Sequence, residues 1–205
     1  MNPPRLVILD RDGTLNEDRD DYVKSPDEWV PLPGAMEAIA RLNQAGWRVV
    51  LATNQSGLGR GLFDMATLNA IHLKMNRTLA QHGGRIDAVF FCPHAPGEGC
   101  RCRKPLPGLF EEIGQRYGVD LAQVPVVGDA LRDLEAGAAA GCPTHLVQTG
   151  KSAELGADGR ASLVEKVPGT RVHADLAAFA DWLIRHERAA RGEAGAADSV
   201  YLGME

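Results

Sequence analysis

Short apolar runs alternate along this chain with segments of helical periodicity, and that alternation leaves few folds open. Runs at 6–9, 47–52, 86–91, 124–127 and 144–147 are rich in Val, Ile, Leu and Phe, the composition of strands buried on both faces. Between them, 35–44, 65–82, 109–117 and 131–140 carry apolar residues at helical spacing, as in Leu68, Ile71, Met75 and Leu79. A last helix is expected over 176–188, capped by Asp175. Strands joined by helices run parallel, with right-handed crossovers that place helices on both faces. The expectation is one α/β domain over residues 1–190 with a Rossmann-like parallel sheet, and a flexible tail over the small, polar residues 191–205. The Gly-rich, charged stretch 150–170 is expected to be loop.

Three of the strands end in reactive groups. Leu6–Leu9 runs into Asp10-Arg11-Asp12-Gly13-Thr14, the second strand into Thr53-Asn54-Gln55-Ser56-Gly57, and the fourth into Gly128-Asp129 with Asp133 four residues on. Ligands of open α/β sheets sit at the carboxyl ends of strands. Residues two apart on an extended chain face one side, so Asp10 and Asp12 are expected to converge with Asp129. Packed carboxylates repel and raise one another's pKa. A divalent cation relieves that repulsion, and ligands that are all oxygen select Mg²⁺ or Ca²⁺. Lys104 adds a point positive charge, and Thr53 and Asn54 add hydroxyl and amide groups. Phosphoryl transfer needs such a set: an in-line nucleophile and positive groups on the phosphoryl oxygens.

The cysteines carry a second pattern. Cys92-x-His94 and Cys100-x-Cys102 supply three thiolates and an imidazole, a full tetrahedral shell for Zn²⁺. Four protein ligands leave no open position, so such a zinc is structural. It would pin a Gly- and Pro-rich loop that leads directly into Arg103 and Lys104. Cys142 reads as a small buried hydrophobe. His72, His82, His145, His173 and His186 have no motif neighbours and are expected at the surface or at caps. Gly57, Gly59 and Gly61 lack the spacing of a nucleotide loop and are assigned flexibility only. The net charge of −5 and the 5% aromatic content argue against a nucleic-acid partner. No apolar run reaches the length of a membrane span, and Met1 leads almost directly into the first strand with no signal-peptide core. A soluble cytoplasmic monomer is expected.

Asp10-x-Asp12-Gly13-Thr14, Thr53-Asn54, Lys104 and Gly128-Asp129-x3-Asp133 resemble, in order and spacing, the motifs of the haloacid dehalogenase superfamily of phosphohydrolases. The resemblance implies an aspartyl-phosphate mechanism. Asp10 would be the nucleophile, and Asp12 would protonate the leaving oxygen and then deprotonate water. Thr53 and Lys104 would stabilise the phosphoryl group. Asp10, the backbone carbonyl of Asp12, and Asp129 would hold Mg²⁺, with the carbonyl of Ala130 also available. Asp133 would orient Lys104 or a metal-bound water, or stand on the helix surface. The stretches between motifs each hold one helix and its loops, so no cap domain is expected.

With the Cys/His loop included, the chain is similar to the D-glycero-D-manno-heptose 1,7-bisphosphate phosphatase family and its histidinol-phosphatase relatives. That likeness rests on Leu9 to Thr14, on 16–23, on Thr53 to Gly57, on Cys92-Pro93-His94, and on Cys100 to Pro105. It implies a phosphorylated sugar as substrate, in ADP-heptose and lipopolysaccharide core biosynthesis. Substrate contacts carry over to Arg11, Asp18, Asp21, Tyr22, Val23, Asn54, Gln55, Ser56 and Arg103. Three features depart from the pattern. The loop 18–23 is one residue longer than the family pattern, which blurs which of Arg19, Asp20 and Asp21 faces substrate. The loop from Cys92 to Cys102 is short, and Ala130 stands where a Lys is common. Asp18, Asp20 and Asp21 would suit cationic histidinol phosphate, whereas Arg103 beside Lys104 points to a more anionic bisphosphate. A non-catalytic zinc-knuckle module is the alternative of another class.

Overall fold

The computed structural model describes residues 5–190 and residue 192, so the expected tail over 191–205 lies, apart from Gly192, outside the described residues. Six strands form one parallel sheet: β1 (Leu6–Leu9), β2 (Arg48–Asn54), β3 (Ala88–Cys92), β4 (Val126–Gly128), β5 (Thr144–Val147) and β6 (Arg171–His173). The connecting helices are α1 (Ala35–Gln44), α2 (Ser56–Gly59), α3 (Met65–Gln81), α4 (Gly108–Tyr117), α5 (Leu131–Ala139), α6 (Gly150–Ala153), α7 (Ala157–Lys166) and α8 (Leu176–Ala190).

The apolar runs are continuous because each central strand is buried on both faces. Successive side chains alternate between the faces. Val7, Leu9, Val49 and Leu51 pack with residues of α1, α3 and α8. Leu6, Ile8, Val50 and Ala52 pack on the opposite side with α4 and α5, through Leu109, Phe110, Ile113 and Ala136. Strand order is β3-β2-β1-β4-β5-β6. The chain therefore changes winding direction between β1 and β4, and a crevice opens at the carboxyl ends of these two strands. Asp10 follows β1 and Asp129 follows β4, one on each side of that switch point.

Several local expectations need correction. The stretch 150–170 is not loop: it contains α6 and α7. Helix α7 buries Leu163, which with Val167 packs on Leu134 and Leu146. So short an apolar stripe carries little periodicity, and the helix depends on the tertiary contact. Strand β6 was not anticipated, because two of its three residues are exposed and no apolar run marks it. His145 is buried at 2% exposure, its Nδ1 lies 3.0 Å from His173 Nε2, and both rings pack on Phe179 and Trp182. Burial pushes the His145 pKa down to about 3. His72 is likewise engaged, with its Nε2 3.3 Å from Arg11 Nη1. Gly59 is a packing requirement and not a flexible joint: a Cβ there would stand 2.8 Å from the carbonyl oxygen of Pro93.

Candidate active site

Lys104 organises the crevice. Its ammonium is buried at 2% exposure and meets Asp10 Oδ1 at 2.9 Å, Asp133 Oδ1 at 2.6 Å and the carbonyl of Ala52 at 2.8 Å. Burial works against that charge, but Asp10 and Asp133 outweigh it and raise the lysine's pKa. Asn54 holds the Lys104 backbone in a reciprocal pair, donating to its carbonyl at 3.0 Å and accepting from its N–H at 3.0 Å. The expected substrate contact Asn54 thus has its amide committed to placing the lysine. Asp133, near the start of α5, is 1% exposed, accepts from the Ala130 N–H at 3.1 Å and does not stand on the helix surface. Asp10 is pushed up to about 6 by burial and by Asp133, against the pull of Lys104.

Asp12 is gripped by a separate set. Arg11 Nε and Nη2 donate to Asp12 Oδ1 at 3.0 and 2.9 Å, and Nη2 also reaches Oδ2 at 3.0 Å. Asn16 Nδ2 and Gln55 Nε2 each add a donor at 2.9 Å. Burial alone would raise the Asp12 pKa, but the Arg11 charge and these donors prevail and hold it below the usual range. Arg11, expected on substrate, is fully buried behind Asp12, where its Nη2 also donates to Gln55 Oε1 at 3.2 Å. Gln55 is shared between Asp12, Arg11 and Thr53 Oγ1, the last at 2.9 Å.

Asp10, Asp129 and Asp133 each present a carboxylate oxygen within 4.8 Å of the others. Asp129 Oδ2 accepts from the Lys151 N–H at 2.7 Å, while its Oδ1 is buried with no hydrogen-bond partner. Burial, Asp133 and Asp10 push Asp129 well above the ordinary carboxylate range. An orphaned oxygen among clustered acids fits a hard divalent cation, and the all-oxygen donor set favours Mg²⁺. Gly13 closes this corner, since a Cβ there would stand 2.3 Å from Asp129 Oδ2. The Ala130 carbonyl, expected as a further ligand, accepts from the Asp133 N–H at 3.0 Å, and Asp133 is the residue brought beside Asp10 and Asp129.

The Cys/His loop converges as its spacing implied. Cys92 Sγ lies 3.5 Å from His94 Nδ1 and 3.7 Å from Cys100 Sγ, and Cys102 Sγ lies 3.3 Å from His94 Nδ1. Tetrahedral zinc with ordinary bond lengths sets its ligand atoms about 3.6–3.8 Å apart, so the four groups fit a zinc ion. Cys92 ends β3 and is buried in the core under α4, which anchors the loop to the sheet.

The cleft mouth is lined by Asp10, Asp12, Asp18, Tyr22, Val23, Thr53 to Ser56 and Arg103, all anticipated. Asp21 is not among them, being ion-paired to Arg19 at 3.1 Å and Lys24 at 2.6 Å. Arg19 and Asp20 line the cleft in its place. Arg132 and Lys151 also line it and were missed. Arg132 lies inside the Asp129-x3-Asp133 motif, where position could have flagged it. Lys151 gave no signal, because it sits in the stretch read as loop.

The model of the haloacid dehalogenase-like hydrolases matches residues 12–141. Among curated proteins, D-glycero-beta-D-manno-heptose-1,7-bisphosphate 7-phosphatase of Bordetella bronchiseptica is 63% identical over 181 residues, covering 88% of this chain and 98% of the relative. The Pseudomonas aeruginosa protein of the same name is 49% identical, with the same coverage of each chain. The crystal structure of D,D-heptose 1.7-bisphosphate phosphatase from B. bronchiseptica, complexed with magnesium and phosphate, superimposes with TM-score 0.84 at 61% identity, covering 89% of this chain and 99% of that one. The Burkholderia thailandensis structure named for the same phosphatase has TM-score 0.67 at 55% identity, covering 87% of this chain and 98% of that one.

Proposed function

The chain belongs to the haloacid dehalogenase-like hydrolases, and from that premise we propose that it removes the 7-phosphate of D-glycero-β-D-manno-heptose 1,7-bisphosphate, in ADP-heptose and lipopolysaccharide core biosynthesis. The substrate is supported by the names of relatives 63% and 49% identical over nearly their whole length. The reaction is carried by one observation: Lys104 buried between Asp10 and Asp133 at the switch point of the sheet.

In this reading Asp10 attacks phosphorus and forms an acyl phosphate. Lys104, fixed by Asn54, pairs with the Asp10 carboxylate before attack and with the phosphoryl oxygens after it. Asp12, protonated as the anionic substrate phosphate docks beside it, gives that proton to the leaving sugar oxygen, then takes one from the water that opens the acyl phosphate, so its proton is restored over the cycle. Arg11, Asn16 and Gln55 aim its carboxylate and favour the ionised form, which suits the second half-reaction. Bound Mg²⁺, held by Asp10, Asp129 and the Asp12 carbonyl, would neutralise charge on the acids and the phosphoryl oxygens. Zn²⁺ on Cys92, His94, Cys100 and Cys102 would hold the loop that carries Arg103. In this reading the enzyme acts as a cytoplasmic monomer; separately, no described helix is long and apolar enough to cross a membrane.

Histidinol phosphate is disfavoured by the charge pairing at the mouth. Lys151 meets Asp20 at 2.6 Å and Asp18 at 3.5 Å, and Asp21 is held by Arg19 and Lys24, so these acids are already occupied. The test is phosphate release from the α and β heptose bisphosphates, fructose 1,6-bisphosphate and histidinol phosphate, with and without Mg²⁺. The β heptose bisphosphate should have the highest kcat/KM, and Asp10→Asn should abolish its turnover. A preference for histidinol phosphate would overturn the substrate, and steady turnover by Asp10→Asn would overturn the covalent mechanism.

A further inference from the structure

The cations of the cleft are matched by anions, with two exceptions. Lys104 lies between Asp10 and Asp133, Lys151 pairs with Asp18, Asp20 and Glu154, and Arg19 pairs with Asp21. Arg103 and Arg132 line the same cleft, and among the described residues neither forms an ion pair. Arg103 donates only to the carbonyl of His94, at 3.3 Å. Arg132 makes no hydrogen bond among the described residues, and its Nε is buried without a partner.

A buried N–H with no acceptor is a standing cost to the fold, and such groups are rare. One that borders the cleft of the nucleophile points to an acceptor that arrives with the ligand. The transferring phosphoryl group is already served by Lys104 and by the cation that the acids fit. We propose that Arg132 grips the other phosphate of a bisphosphate substrate, the one that is not transferred, together with Arg103. This rests on the bisphosphatase reading above. The two guanidinia come from separate elements, α5 and the loop before α4. Each offers a planar fork that matches a phosphate with two parallel hydrogen bonds. Two permanent charges on the leaving portion select a substrate that carries a second dianion.

The experiment compares kcat/KM of the metal-loaded enzyme on heptose 1,7-bisphosphate and heptose 7-phosphate, for the natural chain, Arg132→Gln and Arg132→Lys. Arg132→Gln should lose on the order of 10- to 150-fold on the bisphosphate. That loss should fall mainly in KM and exceed the loss on the monophosphate at least tenfold. Arg132→Lys keeps the charge without the fork and should recover part of it. Equal losses on both substrates would place Arg132 at the transferring phosphoryl group or in folding, and no loss would remove it from binding. Either result overturns the proposal. If the natural chain fails on the heptose bisphosphate, the functional reading falls separately. The same comparison on fructose 1,6-bisphosphate and fructose 6-phosphate then decides the role of Arg132.

Discussion

A methyl group has no room at Gly13. The residue has φ +82, and a Cβ would stand 2.3 Å from Asp129 Oδ2. Gly13→Ala must therefore pay the left-handed backbone penalty of about 1–2 kcal/mol and displace a carboxylate of the acidic cluster. Denaturant unfolding should show that loss, and the Mg²⁺ concentration for half-maximal activity should rise. Unchanged values of both would contradict this account of the site. Lys104→Ala leaves Asp10 and Asp133 buried without their shared cation, so it should harm every substrate alike, by at least about a hundredfold. Arg103→Ala should instead weigh far more on the heptose bisphosphate than on p-nitrophenyl phosphate, which has no second phosphate. Equal losses on the two substrates would assign Arg103 to the common phosphoryl site. These roles were partly legible in the residues: the DxDGT run, Lys104 and Asp129 marked the centre. The division of labour was not. Asn54 and Gln55 line the cleft as expected, but their side chains and that of Arg11 are also engaged with Asp12, Lys104 or each other, and only folding shows which acceptor a polar group finds.

The loop between β3 and α4 is the element that most depends on its side chains. It has no helix or strand of its own between Cys92 and Gly108, and the groups of Cys92, His94, Cys100 and Cys102 meet at its core. Metal binding to such a loop counts as folding free energy. Purified protein should contain about one zinc per chain, measured by elemental analysis, and Cys100→Ser should lower Tm and raise KM more than it lowers kcat. Protein purified without chelator and found free of zinc would reduce the cluster to thiols. Spacing alone was enough to find this loop, because its ligands lie close in sequence. Helix α7 was missed for the opposite reason, since its partners Leu134 and Leu146 are distant in sequence.

At the scale of the whole molecule, the buried carboxylates link stability to pH and to metal. Burial and Asp133 push Asp10 up to about 6, and Asp129 stands well above the ordinary range. Raised carboxylates contribute stability that is complete below the unfolded value near 4 and is lost as pH rises through the folded value. His145, pushed down to about 3 by burial, acts in the other direction, and its contribution is lost as pH falls below about 6.5. A cation binds the ionised acids, so the rise in Tm on adding Mg²⁺ should be larger at about pH 7.5 than at about pH 5. Equal shifts at the two values would separate cation binding from the protonation of these acids.

The order of apolar runs and helical repeats was sufficient to determine a parallel sheet with helices on both faces, because burial on two sides leaves a continuous apolar signature in each strand. It also placed Asp10 and Asp129 at strand ends, since the carboxylates begin where the apolar runs stop. Tertiary structure decided the rest. It determined that β1 and β4 are neighbours, so that residues about 120 positions apart in the sequence share one crevice. It buried Arg11 and His145, turned Asp21 outward onto Arg19 and Lys24, and left the Arg132 Nε without a partner among the described residues, in the cleft of Asp10. The physical reason is range. Periodicity and turn chemistry act between residues a few positions apart, whereas pairing and desolvation of polar groups depend on neighbours that exist only after the chain has closed on itself.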